Sequence, residues 1–393
     1  MIPLMRNAFL REQETKEKLS EFILRAGRLS MGAECAKFER EFAAFQGTKE
    51  AILFNSGSSA NLAMIQASKN LGILRDGDRI GFSALTWATN VMPIIQLGLQ
   101  PVPIDCEPAT LNIMSHQLNE RLEQMDLQGL FVTNVLGLTG DLNVIRQICD
   151  KNNIFFIEDN CEALGTELKA GKAGNFGAMA SFSFYISHHI STIEGGMVCT
   201  NDKKLAEMLR IVRAFGWDRN LDIDQQRRWR KKYNILSEFQ AKYTFYDLGY
   251  NFRPTEITGF LGRYQLRFLK ETIETRQKNY LAIEAAVRYS PDLVTLDRSH
   301  ISVISSFALP ILCRTPGIRE EHLARFADTD IEVRPIIAGN IQRQPFYKKY
   351  ISKSYSLPGA NKVHKCGFYC GNYPELTETD IRAICRCLTV EKT

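Results

Sequence analysis

Between about residues 50 and 200 the chain repeats one pattern. Short apolar runs end in Gly, Asn, Asp or another small or polar residue: "EAILFNSG", "DRIGFS", "PVPIDC", "GLFVTNVLG", "IFFIEDN", "MASFSFY" and "GGMVCTN". Runs this short and this uniformly apolar suit strands buried on both faces. Helical patterns follow the first two, "SSANLAMIQASKNLG" and "TWATNVMPIIQLG". Strands alternating with helices predict a mostly parallel α/β sheet. In such sheets ligands bind beyond the carboxyl ends of the strands.

From about residue 201 to 245 the pattern turns helical and charged. "GYNFRPTEITGFLGRYQLRFLKETIETRQKNYLAIEAAVRYS" predicts a loop and then one long amphipathic helix. Beyond residue 300, strands ("SVISSFALPILC", "IEVRPI") mix with helices ("REEHLARFADT", "ETDIRAICRCL"), as in a smaller α+β domain. The expected division is an N-terminal arm and large α/β domain over residues 1–248, then an interdomain helix and small C-terminal domain over 249–393. A chain of 393 residues is long enough for both cores.

Composition narrows the function classes. No apolar run reaches eighteen residues, so no membrane span is expected, and the charged N-terminus has no signal-peptide core. Lys and Arg exceed Asp and Glu by only 5, which suits an anionic small substrate and is too scattered for nucleic acid. The dense run "RRWRKKY" reads as a solvated helix face or as a phosphate-facing element. The ten cysteines lack disulfide spacing and read as free thiols of a reducing cytoplasm. No Cys or His pair has zinc-like spacing, so no metal site is expected.

Three segments carry chemistry. In "NSGSSANL" a strand runs through Gly57 and Ser58 into a helix, whose exposed N–H groups suit a phosphate; a plain Ser cap is the bland reading. In "FFIEDNCEALG", Glu158 and Asp159 end an apolar strand, where a buried carboxylate needs a cationic partner such as a protonated pyridine nitrogen. A helix N-cap is the alternative for Asp159. Glu162 follows, read as facing the same way from the start of a helix. In "TWATN", Trp87 sits at a strand end, where it stacks on a flat ring or fills core.

The phosphate turn, the Trp, the strand-end Asp and the Ser181–Ser183 strand come in an order that resembles the DegT-type nucleotide-sugar aminotransferases. The likeness runs from "MGAECAKFEREFAAFQGTKEAILFNSGSSANL" through "EDNCEALG", "SFSFY" and "EGGMV" to "GYNFRPTEITGFLGRYQL" and "RPI". It implies the aspartate-aminotransferase-like fold of type I pyridoxal-phosphate (PLP) enzymes. In that family the Gly57–Ser58 turn and the Ser183 position hold the phosphate. The Asp159 position pairs the ring nitrogen, the Trp87 position covers the ring and the Asn251 position reaches in from a neighbouring subunit. A homodimer with shared active sites is thereby implied.

One departure stands out. The family's ordinary members carry, six residues before the Glu of a Glu-Gly-Gly run, a lysine that holds the cofactor as a Schiff base. Counting back from Glu194 gives His188, and no lysine occurs between Lys172 and Lys203. Imidazole cannot make that link but can move a proton near neutrality. "SHHISTIEGG" with "RAFGWDRNL", and Glu162 where most members have Gln, resembles the family's histidine-containing 3-dehydratases. The resemblance implies C3 deoxygenation of a GDP-4-keto-6-deoxyhexose-like substrate. Pyridoxal or pyridoxamine phosphate (PMP) would be held without a covalent bond, L-glutamate would be the amino donor and ammonia would be released. His188 is then the base and His189 structural. Trp217, Arg219 and Tyr243 fall at substrate-side positions, and Arg334 serves either glutamate or substrate. The cysteine cluster of a related iron–sulfur dehydratase is not matched. Two other readings stand: a sugar aminotransferase that recruits another base, and a non-catalytic cofactor- or sugar-binding protein.

Overall fold

The computed structural model describes residues 1–389. Its large sheet has seven strands in the order Glu50–Phe54, Gly196–Thr200, Met179–Ser183, Phe155–Asp159, Gly129–Thr133, Arg79–Ser83 and Gln100–Ile104. All pair in parallel except Gly196–Thr200, which runs antiparallel to both its neighbours. Each of these strands falls within one of the apolar runs expected to form it, except that Gln100–Ile104 starts one residue before "PVPIDC".

The reason for unbroken apolar runs is visible in where alternate side chains go. Ile52, Phe54 and Val198 pack into one core layer with Met64 of the helix Gly57–Asn70 and Leu209 of the helix Lys203–Arg213. Leu53, Phe182 and Met197 pack into another layer with Phe38 and Phe42 of the helix Ala33–Gln46. Successive residues point to opposite faces, and helices cover both, so neither face tolerates a polar repeat.

A second sheet of three antiparallel strands, Ala308–Leu312, Gly367–Gly371 and Val333–Arg334, forms the C-terminal part. It packs with the helices Leu269–Tyr289, Pro316–Asp328 and Glu378–Leu388 around Leu309, Phe326, Phe368 and Ile384. The N-terminal residues join this part: Ile2 bridges Ile331, and the Leu4 N–H donates to Glu332 Oε2 over 3.0 Å.

Three local expectations need correction. The single long helix after Gly249 is two, Glu256–Leu266 and Leu269–Tyr289, interrupted at Arg267 and Phe268. The first presses Gly259 and Gly262 against the backbone of Cys35 and the ring of Phe38, so its direction is set by the large part. The second must aim Tyr280, Ile283 and Val287 into the C-terminal core. No helix starts at Glu162: residues 161–165 form turns in which Asp159 Oδ1 accepts from the Cys161 N–H at 2.9 Å. "SVISSFALPILC" is two strand pieces, the residues of Ile301–Val303 and Ala308–Leu312, separated at 304–307.

Candidate active site

Several parallel strands end at one rim, and the connection from Met179–Ser183 to Gly196–Thr200 turns back at the same rim. That places the 184–195 loop, with its paired histidines, over the strand ends. A cavity of about 520 Å³ opens there. Its lining includes Gly57, Ser58, Trp87, Asp159, Glu162, Ser183, His188 and Arg334.

The floor is a cradle of close approaches. Ser56 caps the helix Gly57–Asn70, its Oγ accepting from the Ser59 N–H at 3.0 Å. A Cβ on Gly57 would lie 2.7 Å from Ser183 Cβ, so only glycine lets the helix N-terminus meet that strand end. Gly196, of the Glu-Gly-Gly run, passes so close to the Ser56 carbonyl that it too has no room for a side chain. The result is a set of free N–H groups beside two hydroxyls, with the positive end of a helix behind them.

Asp159 is the last residue of its strand and 5% exposed. Its Oδ2 accepts from Asn61 Nδ2 at 3.0 Å and Asn90 Nδ2 at 2.7 Å. No ion pair reaches it among the described residues, so amides aim an uncompensated carboxylate at the cavity. Its neighbour Glu158 also differs from expectation. Burial raises its pKa, and three backbone N–H groups, of Gly174, Phe176 and Gly177, satisfy it at 2.8–2.9 Å in place of a cation. Glu158 therefore organises a turn on the far side of the strand.

Glu162 lines the wall, and its Oε2 accepts from the Leu136 N–H at 2.8 Å. Burial, reinforced by the Asp159 charge, pushes its carboxyl up to about 8, so it carries a proton at neutral pH. His188 stacks at a tilt 5.1 Å from Phe307, and its backbone N–H donates to the Tyr185 carbonyl at 2.9 Å. Its Nδ1 is buried without a partner among the described residues, which leaves Nε2 to meet a bound molecule. Burial lowers the imidazole to about 4; Asp159 pulls it up and Arg276 pushes it down. His188 is thus neutral and free to accept a proton. His189 is 5% exposed and turned away, its Nε2 on the Ser305 carbonyl at 3.0 Å.

Arg334 borders the cavity with its guanidinium 2.5 Å from Glu332 Oε1. The remaining expected residues lie elsewhere. Arg219 covers the Trp217 ring at 4.2 Å and the Tyr243 ring at 5.1 Å. Asn251 is exposed, accepts from Arg253 Nε at 3.0 Å and pairs with Ala214. Around this group the chain exposes Leu236, Phe239, Tyr243, Phe245 and Leu248. Sequence reasoning missed Asn61 and Asn90, although both lie in the quoted segments "NSGSSANL" and "TWATN". It also missed Leu4, Phe307 and Tyr369, which reach the cavity wall from distant parts of the chain.

The cradle can be tested for the group it suits. It offers free N–H groups for an anion, an uncompensated carboxylate for a cation and an exposed indole, Trp87, for a flat face. A phosphorylated pyridinium carries all three complements, so the residues present fit PLP.

Fold and site together define a cofactor-dependent enzyme of aminotransferase architecture. The chain belongs to the DegT/DnrJ/EryC1/StrS aminotransferase family, whose pattern it matches over residues 11–389. It is 33% identical to a GDP-4-keto-6-deoxy-D-mannose 3-dehydratase of Yersinia pseudotuberculosis, over 89% of each chain. A solved GDP-4-keto-6-deoxymannose-3-dehydratase with a trapped PLP–glutamate geminal diamine superposes with TM-score 0.91 at 29% identity, covering 99% of this chain and 100% of that one. A histidine-to-asparagine variant of the same kind of enzyme, with bound GDP-perosamine, superposes with TM-score 0.89 at 28% identity over 99% and 100% of the chains.

Proposed function

We propose that the chain is a PLP/PMP-dependent nucleotide-4-ketosugar 3-dehydratase, using glutamate and acting on a GDP-4-keto-6-deoxyhexose-like substrate. The observation that carries this reading is His188 in a cavity whose lining includes no lysine among the described residues. The net reaction balances: ketosugar and glutamate give 3-deoxyketosugar, 2-oxoglutarate and ammonia.

When bound, the cofactor supplies a conjugated electron sink beside the substrate carbon. The chain's own residues supply the rest. The Gly57 and Ser58 N–H groups and Ser183 would bind the phosphate. Asp159, held by Asn61 and Asn90, keeps a positive ring nitrogen charged, and Trp87 covers the ring. His188 takes and returns a proton at Nε2. No ε-amine stands ready to carry the nitrogen away, so water completes the turnover and ammonia leaves. Arg334 binds the glutamate carboxylate or the sugar once released from Glu332.

This reading includes a second copy of the chain. Asn251, Trp217, Arg219 and Tyr243 stand outside the cavity, amid exposed apolar side chains that a homodimer would cover. From there Asn251 would serve the phosphate of the partner's site, and the other three the nucleotide-sugar.

The test supplies PLP, L-glutamate and a panel of nucleotide 4-ketosugars, with products read by mass spectrometry and ammonia assayed. The 3-deoxyketosugar with ammonia supports the proposal. An amino-sugar without ammonia makes the chain an aminotransferase, and binding without turnover makes it a binding protein. Borohydride treatment should fix no cofactor to the chain; a pyridoxyl-lysine peptide would overturn the non-covalent reading.

A further inference from the structure

The helix Leu269–Tyr289 sends one cation into the interior. Arg276 is 3% exposed, and burial lowers it only to about 10, so it stays charged. Among the described residues it makes no ion pair; the acidic side chain acting on it is Glu375, which lies beyond ion-pair reach. Its Nη1 instead donates to backbone carbonyls, of Phe307 at 2.8 Å, Ser306 at 3.3 Å and Asn372. Its Nε has no partner among the described residues. A buried charge held only by carbonyls is costly and calls for a reason.

Two of these carbonyls, of Ser306 and Phe307, belong to the segment that touches both histidines. Ser305 O meets His189 Nε2, and the Phe307 ring lies against the His188 ring. Asn372 closes the group, its Nδ2 donating to the Arg276 carbonyl at 3.1 Å and the Ser306 carbonyl at 3.2 Å. On its other side the Phe307 N–H donates to the Leu136 carbonyl, one residue's backbone away from the N–H that holds Glu162.

We propose that Arg276 is the positioning residue of the histidine loop: it ties Ser306, Phe307 and Asn372 together behind His188 and His189. Every group around His188 enters the balance. Asp159 and Glu194 line its cavity as carboxylates and Glu162 as a protonated carboxyl; Arg334 also lines the cavity, and Arg276 acts from behind. His189, lowered by burial, and Tyr369, raised by burial, are uncharged at neutral pH. Burial is the largest cause of the lowered His188 pKa; Asp159 and Arg276 act on top of it in opposite directions, so removing Arg276 should raise the midpoint.

The use of a neutral His188 rests on the function proposed above; its titration does not. The experiment is histidine-labelled NMR of the cofactor-free chain, with the His188 signal identified by its loss in His188→Asn. In Arg276→Gln the His188 midpoint should rise by roughly half a pH unit or more. Arg276→Lys, which keeps the charge, should leave the midpoint near that of the unsubstituted chain while moving the ring shifts of both histidines. In turnover, the acid limb of kcat/KM should move to higher pH in Arg276→Gln and stay in Arg276→Lys. A folded Arg276→Gln with an unmoved His188 midpoint overturns the proposal. So does a uniform fall in kcat with an unmoved limb, which a purely structural role would give. If Arg276→Gln does not fold, the other two chains decide. A His188 that titrates at or above the free imidazole range in the unsubstituted chain, or ring shifts of both histidines that stay unmoved in Arg276→Lys, overturns the proposal; moved ring shifts at an unmoved midpoint support it.

Discussion

The cavity and the 236–248 surface are built in opposite ways. In the cavity, polar groups are buried and most have partners within the chain: Asp159 and Ser183 are 5% and 8% exposed. On the surface, apolar groups face water: Phe239, Tyr243 and Leu248 are 80%, 71% and 69% exposed. Sequestered polar atoms need internal hydrogen bonds, and the cavity provides them through Asn61, Asn90 and backbone N–H groups. A clustered apolar surface gains nothing inside one chain and needs a cover from outside. The difference separates residues whose geometry one chain completes, from Gly57 to His188, from residues whose use depends on what covers them, such as Arg219, Tyr243 and Asn251.

The largest expected effect lies in the cavity. His188→Asn should keep the fold and lower turnover by about 10²–10⁴, the usual worth of a general base. His189→Asn should cost far less, because its ring is turned to Ser305. Near-normal dehydration in His188→Asn with none in His189→Asn would reverse the two assignments. Next comes the floor. Gly57→Ala forces a methyl against Ser183 Cβ and should destabilise the chain by about 1–3 kcal/mol. Thermal melting reads that cost, and a spectroscopic titration should show weaker PLP binding. Unchanged binding would remove the Gly57–Ser183 approach from the phosphate site.

The covered surface is probed by mixing. Subunits carrying Asn251→Ala and subunits carrying His188→Ala, each inactive alone, should together recover about a quarter of the sites if a two-fold dimer shares them. No recovery would make each cavity self-sufficient and leave the apolar surface to another partner.

How much of this was legible in the sequence follows from where each residue sits. The strands were readable because burial on both faces leaves unbroken apolar runs. Gly57, Ser58, Trp87, Asp159, Ser183 and His188 were readable because they stand at or just past strand ends, where an α/β sheet binds ligands. The break at Arg267–Phe268 was not, since no Pro or Gly marks it and two separate cores impose it. Phe307, Tyr369 and Arg276 gave no local signal, because packing of the C-terminal part brings them to the histidines. The expected cationic partner of Glu158 was wrong for a related reason: backbone N–H groups, which the sequence does not display, satisfy it.

The smallest expected effect concerns Glu162. A carboxyl raised by burial to about 8 stabilises the fold fully below its unfolded value of about 4.3, and that contribution is lost as pH rises through about 8. Glu162→Gln escapes the loss. Its melting temperature relative to the unsubstituted chain should therefore climb across that window. A flat difference would mean that Glu162 is ionised in the cavity.

The lone antiparallel strand has a consequence for how the protein is born. Glu50–Phe54 pairs only with Gly196–Thr200, the last strand of the large sheet to be synthesised. At a ribosomal pace of about 5–20 residues per second, the first strand waits on the order of ten seconds or more for its partner. Through that interval the turn at Gly57 has no Gly196 to close against, and for most of it no Ser183. A nascent chain halted before residue 196 should thus expose Ile52, Leu53 and Phe54 as a chaperone-binding segment, while one that has cleared residue 200 should hide them.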